Sequence, residues 1–311
     1  MEKITPSSPG EGPNDYTEKL RALEAAVEAD RFRPIDFIGK RYYTKEYIDK
    51  ANKELSEKLA TESKDYDESA QLAEWEFTYV LSHEDSLPGC RARLASEYDD
   101  HLNGVDIVCD LERDDGKKYV FGIDISTATS RSAIDAKFAR GDRARGQVPA
   151  GCSFVKFYDD GERVACLKGV PRFVLGVSPL FCGQQEYFDK FHLQDDGTVS
   201  HKPDPDLSFN ILSSLFIQST TLAKELSKNP SGEEHTCDRA IDTCKAVRLA
   251  AKKGLVRLMG ARNELDFHQK LNKKLMEAMK AQVNGYTDEC YRGIIAESRR
   301  RLDLINQDIA A

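Results

Sequence analysis

From Gly104 to Ser126 the chain runs Gly-Val-Asp-Ile-Val-Cys-Asp-Leu-Glu-Arg-Asp-Asp-Gly-Lys-Lys-Tyr-Val-Phe-Gly-Ile-Asp-Ile-Ser. Two alternating runs flank Asp114-Asp115-Gly116, which is the pattern of a β-hairpin. A three-residue loop with glycine in the left-handed position fits the turn. Arg113 then opposes Lys117, Glu112 opposes Lys118, Asp110 opposes Val120, and Asp106 opposes Asp124. In this register Val105, Ile107, Cys109 and Leu111 share an apolar face with Tyr119, Phe121, Ile123 and Ile125. A two-residue turn would slip the pairing by one residue and mix that set with the polar one.

The register sets an opposite-charge pair, Glu112 and Lys118, near the turn and a like-charge pair, Asp106 and Asp124, at the far end. Directly opposed like charges destabilise a sheet. A divalent cation between the two carboxylates would remove the penalty. The competing reading is that Asp106 and Asp124, like Asp110 and Glu112, lie on a solvated strand face.

The 311 residues, 40% of them hydrophobic, suffice for one large domain or two modest ones. No apolar run approaches the roughly 20 residues that cross a bilayer, so no membrane association is expected. The first residues lack a basic stretch followed by an apolar one, so a secretory signal is not expected either. The eight cysteines include no Cys-x-x-Cys pair and read as reduced thiols of a cytoplasmic protein. A net charge of −8 argues against general coating of nucleic acid. Its acidic excess lies in residues 1–100, whereas 233–311 is slightly basic.

Composition and periodicity divide the chain into a disordered tail over 1–14, a helical region over 15–84, a sheet-bearing core over 85–195, a linker or loop over 196–206 and a helical region over 207–311. Helices are expected over 15–30, 44–64 with Thr44 as N-cap, from Asp67 through Leu81, and over 90–101. After the hairpin come a helix (130–145), strands at 153–158, 163–167 and 173–177, and helices over 207–227, 238–259, 263–283 and 288–309. A strand–helix–strand succession implies a right-handed crossover to a parallel neighbour, here placing 153–158 beside the Asp124 strand. The fold class is therefore α/β or α+β, with a mixed central sheet, a hairpin and a crossover helix between terminal helices.

Three segments in this order, Glu97-Tyr-Asp-Asp-His-Leu-Asn-Gly-Val-Asp-Ile-Val, Gly122-Ile-Asp-Ile-Ser and Val155-Lys-Phe-Tyr, resemble the PD-(D/E)XK, or restriction-endonuclease-like, nuclease superfamily over about residues 90–178. The resemblance implies a restriction-endonuclease-like core and Mg2+ or Mn2+ held by Asp106 and Asp124. Asp100 or Glu97, at the end of the preceding expected helix, would add a third carboxylate through water. The resemblance also implies a lysine two residues after the second acid, and here that position is Ser126. A displaced lysine would have to come from Lys156, on the expected parallel neighbour, or from Lys137, in the crossover helix, with Lys156 ranked ahead. His101 is placed beside the site as a cap or surface group.

A second signal is basic. Lys245, Arg248 and Lys252 form one stripe of a helix, suited to phosphate contact or to a solvated face. Arg140-Gly-Asp-Arg-Ala-Arg-Gly146 is a further candidate phosphate loop. The resulting expectation is a metal-dependent nuclease acting on nucleic acid, DNA ahead of RNA, with the C-terminal helices available for self-association. The alternative is a nuclease fold without turnover that serves as an interaction module.

Overall fold

The computed structural model describes residues 13–41, 43–61, 68–83, 87–128, 130–140, 148–176, 191–194, 196–201, 204–228, 234–278, 282–283, 286–287, 292–297 and 300. Its hairpin has the register that side-chain alternation requires. Strand β2 (Ile107–Glu112) and strand β3 (Lys118–Ser126) pair from Ile107 with Ile123 to Glu112 with Lys118. Arg113 N donates to Lys117 O, Gly116 N donates to Arg113 O, and Gly116 sits at φ +73°. One step past the first pair, Asp106 faces Asp124, and Asp106 N donates to Ile123 O at 2.9 Å.

The hairpin lies within a five-stranded mixed sheet of order β1-β2-β3-β5-β4. β1 (Cys90–Leu94) is antiparallel to β2, and β5 (Val164–Gly176) is parallel to β3 and antiparallel to the edge strand β4 (Cys152–Asp159). Helices α1 (Pro13–Glu28), α3 (Glu68–His83), α5 (Pro205–Lys228), α6 (Glu234–Met259) and α7 (Glu264–Ala278) pack Leu23, Phe77, Leu215, Val247 and Phe267 into one cluster with Ile107, Cys109, Phe121, Ile123 and Phe173. The other face is covered by α2 (Lys45–Leu59) and the single turn Pro34–Phe37, which bring Phe37, Tyr43 and Ile48 against Val108, Val120, Val155 and Phe157. Thr44 caps α2, its Oγ1 accepting from Tyr47 N at 3.2 Å. The helix between β3 and β4 is α4 (Arg131–Arg140).

Four expectations are corrected. Cys90–Leu94 is an edge strand rather than the start of a helix: Ala92 and Leu94 enter the core while Arg93, pointing the other way, pairs with Asp110. The helical geometry that was expected through His101 is confined to residues 97–103, which end in a short π-helical turn, Asp99–Asn103. The two strands read at 163–167 and 173–177 are one long strand that continues through Gly169 and Pro171. The neighbour parallel to β3 is consequently β5, not 153–158. Finally, the polar hairpin face is not solvated: Asp106, Asp110 and Asp124 are 7%, 9% and 1% exposed.

Further along, the expected linker contains β7 (Val199–His201), which pairs with β6 (Phe191–Leu193). Helix α7 stops at Ala278, and Gln282–Val283 pairs with Tyr286–Thr287. Residues 292–297 of the last expected helix are helical. Residues 1–12, 141–147 and 301–311, which hold most of the expected tail, the candidate phosphate loop and the end of the last helix, lie outside the described residues. Among the described residues no helix is long and apolar enough to cross a membrane.

Candidate active site

Asp106 and Asp124 meet where β2 begins and β3 nears its end. Ile125 N donates to Asp106 Oδ2 at 2.6 Å, so the backbone of one strand fixes the carboxylate of the other. Asp124 is held differently. Lys137 Nζ, from α4, donates to its Oδ1 and to the Ile125 carbonyl, and Arg172 Nη1, from β5, donates to its Oδ2. The like-charge clash anticipated for the pair is thus partly relieved by the protein's own cations.

Arg172 ties three segments together. Besides Asp124 it reaches the Gly104 carbonyl at 3.4 Å and, through Nη2, the Lys137 carbonyl. It stands beside Gly122 across the parallel ladder, where a Cβ would come within 2.9 Å of Val105 Cγ1. Its side chain is 2% exposed against 22% for Lys137, so Lys137 is the cation nearer to solvent. Buried between one Asp124 oxygen and two carbonyls, the Arg172 guanidinium is a fixed positive charge.

Two further carboxylates come from elsewhere. One oxygen from each of Glu74 on α3, Asp100 and Asp106 lies within 4.8 Å of the others, and Asp100 shares a hydrogen bond with Asp106. Burial, followed by the charge of Asp124, pushes the Asp106 carboxyl well above the usual range. Burial also raises Asp100. It carries Glu74 up to about 8, with Asp100 as the next cause. Asp99 anchors Asp100. Fully buried, it accepts from Ser96 Oγ, Asn103 Nδ2, Lys156 N and Phe157 N, which staples the π-helical turn to β4.

Of the residues named from sequence, Asp106, Asp124, Asp100 and Lys137 come together. Glu97 is exposed and stands apart from the carboxylate group. His101, half-buried, faces Asp100 electrostatically. Lys156 is not at the carboxylates, because its strand is the sheet edge and β5 separates it from β3. Its Nζ lies 3.7 Å from the centre of the Tyr98 ring, 4.9 Å from that of Tyr47 and 3.5 Å from Glu54 Oε2. This pocket satisfies the ammonium by cation–π and ion-pair contact.

The basic stripe lies on α6. Lys245 pairs with Asp242, Lys252 pairs with Glu264, and Arg248 is exposed. Lys253 reaches Asp114 at the hairpin tip, some eight extended residues, or ~26 Å, from Asp106. The stripe therefore does not line the carboxylate site.

Sequence reading missed Glu74 and Arg172. Each had a signal: an acid inside the apolar run Leu72-Ala-Glu-Trp-Glu-Phe, and the lone cation of Gly169-Val-Pro-Arg-Phe-Val-Leu-Gly. A charge inside a segment that must be buried calls for a partner.

The donor set, three or four carboxylates and no sulfur or imidazole, suits a hard cation such as Mg2+ or Mn2+. Burial first, and then neighbouring negative charge, raises Glu74, Asp100 and Asp106, and a divalent cation would replace the protons. Together the fold and the site define a mixed α/β protein with a buried acidic centre flanked by Lys137 and Arg172. Comparison with known proteins gives no match to any family model, curated protein or solved structure.

Proposed function

We propose that this chain is a divalent-metal-dependent nuclease that hydrolyses nucleic-acid phosphodiester bonds. The observation that carries the reading is the convergence of Glu74, Asp100, Asp106 and Asp124 with Lys137 and Arg172 where β3 meets the crossover helix. It agrees with the resemblance drawn from the hairpin motifs to a restriction-endonuclease-like core, and Lys137 supplies the amine that Ser126 does not.

Glu74, Asp100 and Asp106 would hold the cation, with Asp124 beside them. When bound, the metal supplies Lewis-acid stabilisation of charge on a phosphoryl oxygen. Lys137, the more exposed cation, offers its ammonium to the phosphate as negative charge grows at the reacting centre. Arg172 positions Asp124 and Lys137 through its two terminal nitrogens. The buried surroundings strengthen each of these charge interactions.

The second reading is a nuclease fold that binds without turnover. It is favoured by one observation: both oxygens of Asp124 are already engaged by Lys137 and Arg172. The two readings separate in one assay. Purified protein is incubated with labelled single- and double-stranded DNA and RNA in Mg2+, Mn2+ or EDTA, beside Glu74→Gln, which leaves the Asp124 pairs intact. Cleavage that needs metal and falls at least ~100-fold in Glu74→Gln supports the nuclease. No cleavage of any substrate, or cleavage indifferent to EDTA and to Glu74→Gln, refutes it.

A further inference from the structure

β3 and β5 form hydrogen bonds only from Gly122 and Arg172 onward. Before that point β3 stays with β2, while β5 leaves with β4 through two register shifts. Irregularities of this kind add twist and bend a strand away from its sheet. Gly169 lies at the departure with φ +65°, and a Cβ there would stand 2.1 Å from Thr236 Cγ2 on α6. Glycine thus lets the helix close one side of the gap. What remains between the parted strands and α6 is a cleft of about 360 Å3.

Its walls carry five cations, Lys117, Lys118, Arg163, Lys168 and Arg239, next to Tyr119 and a floor that includes Val120 and Leu167. The acid that lines it, Asp242, is paired with Lys245 at 3.2 Å. Lys118 pairs with the exposed Glu162 at 3.0 Å, and Arg239 donates to the Lys168 carbonyl. Lys117 and Lys168 have no carboxylate partner among the described residues. In a chain of net charge −8, such a concave positive site focuses field on an anion.

The cations are spread over the hairpin, the β5 strand with its preceding turn, and α6, instead of converging on one point. A spread of this kind suits a row of phosphates better than a single one, and Tyr119, half-buried against the core, lines the cleft beside them. Lys245 and then Arg248 follow Asp242 along α6 at steps of three residues and extend the basic path. We propose that this cleft binds the phosphodiester backbone of a single nucleic-acid strand. The assignment of the polyanion as nucleic acid rests on the nuclease reading above. Lys118 is six strand residues, ~20 Å, from Asp124, so the cleft holds a flanking part of the substrate and not the scissile bond.

The test uses the full chain and labelled oligodeoxythymidylate, with Kd measured by anisotropy over a salt series in EDTA. Cleavage in Mn2+ is measured in parallel. Lys117→Glu combined with Lys168→Glu, both exposed and outside the carboxylate site, is expected to leave the melting temperature unchanged and to weaken binding at least ~10-fold. The slope of log K against log salt should become shallower by about 1.4, at about 0.7 per lost phosphate contact. Where cleavage occurs, KM should rise with kcat retained. Absence of binding by the unaltered protein, an unchanged Kd and slope in the double variant, or tighter capture of oligoglutamate than of the oligonucleotide would each overturn the proposal. Cleft-dependent binding without any cleavage would retire the nuclease reading and leave the cleft standing.

Discussion

Replacing Asp124 by Ala tests the electrostatics of the site most directly. The carboxylate is 1% exposed and its partner Arg172 2%, so the substitution leaves a guanidinium in a dry environment facing only carbonyls, with Lys137 stranded beside it. Removing one member of a buried ion pair costs about 3–5 kcal/mol, most of it the penalty of the uncompensated charge. For a chain of 311 residues that corresponds to a fall in melting temperature of about 5–8 °C. The magnitude has a control. Asp124→Leu combined with Arg172→Met removes both charges and should recover at least ~2 kcal/mol relative to the sum of the two single changes. Urea denaturation of the unaltered protein, Asp124→Leu, Arg172→Met and the double variant in EDTA, followed by circular dichroism, completes the cycle, with Asp124→Ala measured beside them. If Asp124→Ala loses less than ~1 kcal/mol, or the double change is simply additive, the pair is not the buried clamp described here. The same reasoning makes Asp124→Ala a poor probe of catalysis, because lost activity would be confounded with lost fold, and it recommends Glu74→Gln.

Two other outcomes follow from the geometry. Glu74, near 8, and Asp106, well raised, keep protons in the folded chain that the unfolded chain has released. The folded state therefore binds more protons between the ordinary carboxylate range and about 8, and metal-free stability should fall as pH rises through that window. Melting curves from pH 5 to 8 should show this decline, flattened in Glu74→Gln and by saturating Mg2+, which stabilises the folded form by mass action; a metal-free curve that rises across the window contradicts the assignment. Lys156→Met should leave metal-dependent cleavage within about twofold while costing roughly 1 kcal/mol of stability through its lost contacts with Tyr98 and Tyr47. A large loss of cleavage at unchanged stability would return Lys156 to the chemistry.

The placement of Lys156 shows where sequence reasoning stops. Alternation along residues 153–158 identifies a strand correctly, but nothing in those residues says which strand lies next to β3. The chain leads from β3 through α4 to the edge strand β4 and then doubles back, so that β5, not β4, occupies the parallel position. Lys156 is thereby moved to the sheet edge, and Arg172 takes the place beside Asp124. The misread β1 has a similar origin: Cys90-Arg-Ala-Arg-Leu is too short for its period to separate strand from helix, and pairing with β2 decides it. Glu74 was hidden by the long range of its contact, since α3 meets the hairpin end only after it packs on one face of the sheet.

The sequence by itself determined the hairpin, because a period of two and the demands of the Asp114-Asp115-Gly116 turn admit one register, and that register opposes Asp106 to Asp124. These are short-range constraints, set by backbone geometry within some twenty residues. Tertiary structure decided what surrounds the pair: that its face is buried, that Arg172 and Lys137 take Asp124, and that Glu74 and Asp100 crowd Asp106. Strand order and helix docking settle those contacts by burying apolar surface over the whole chain, and charge placement follows from them.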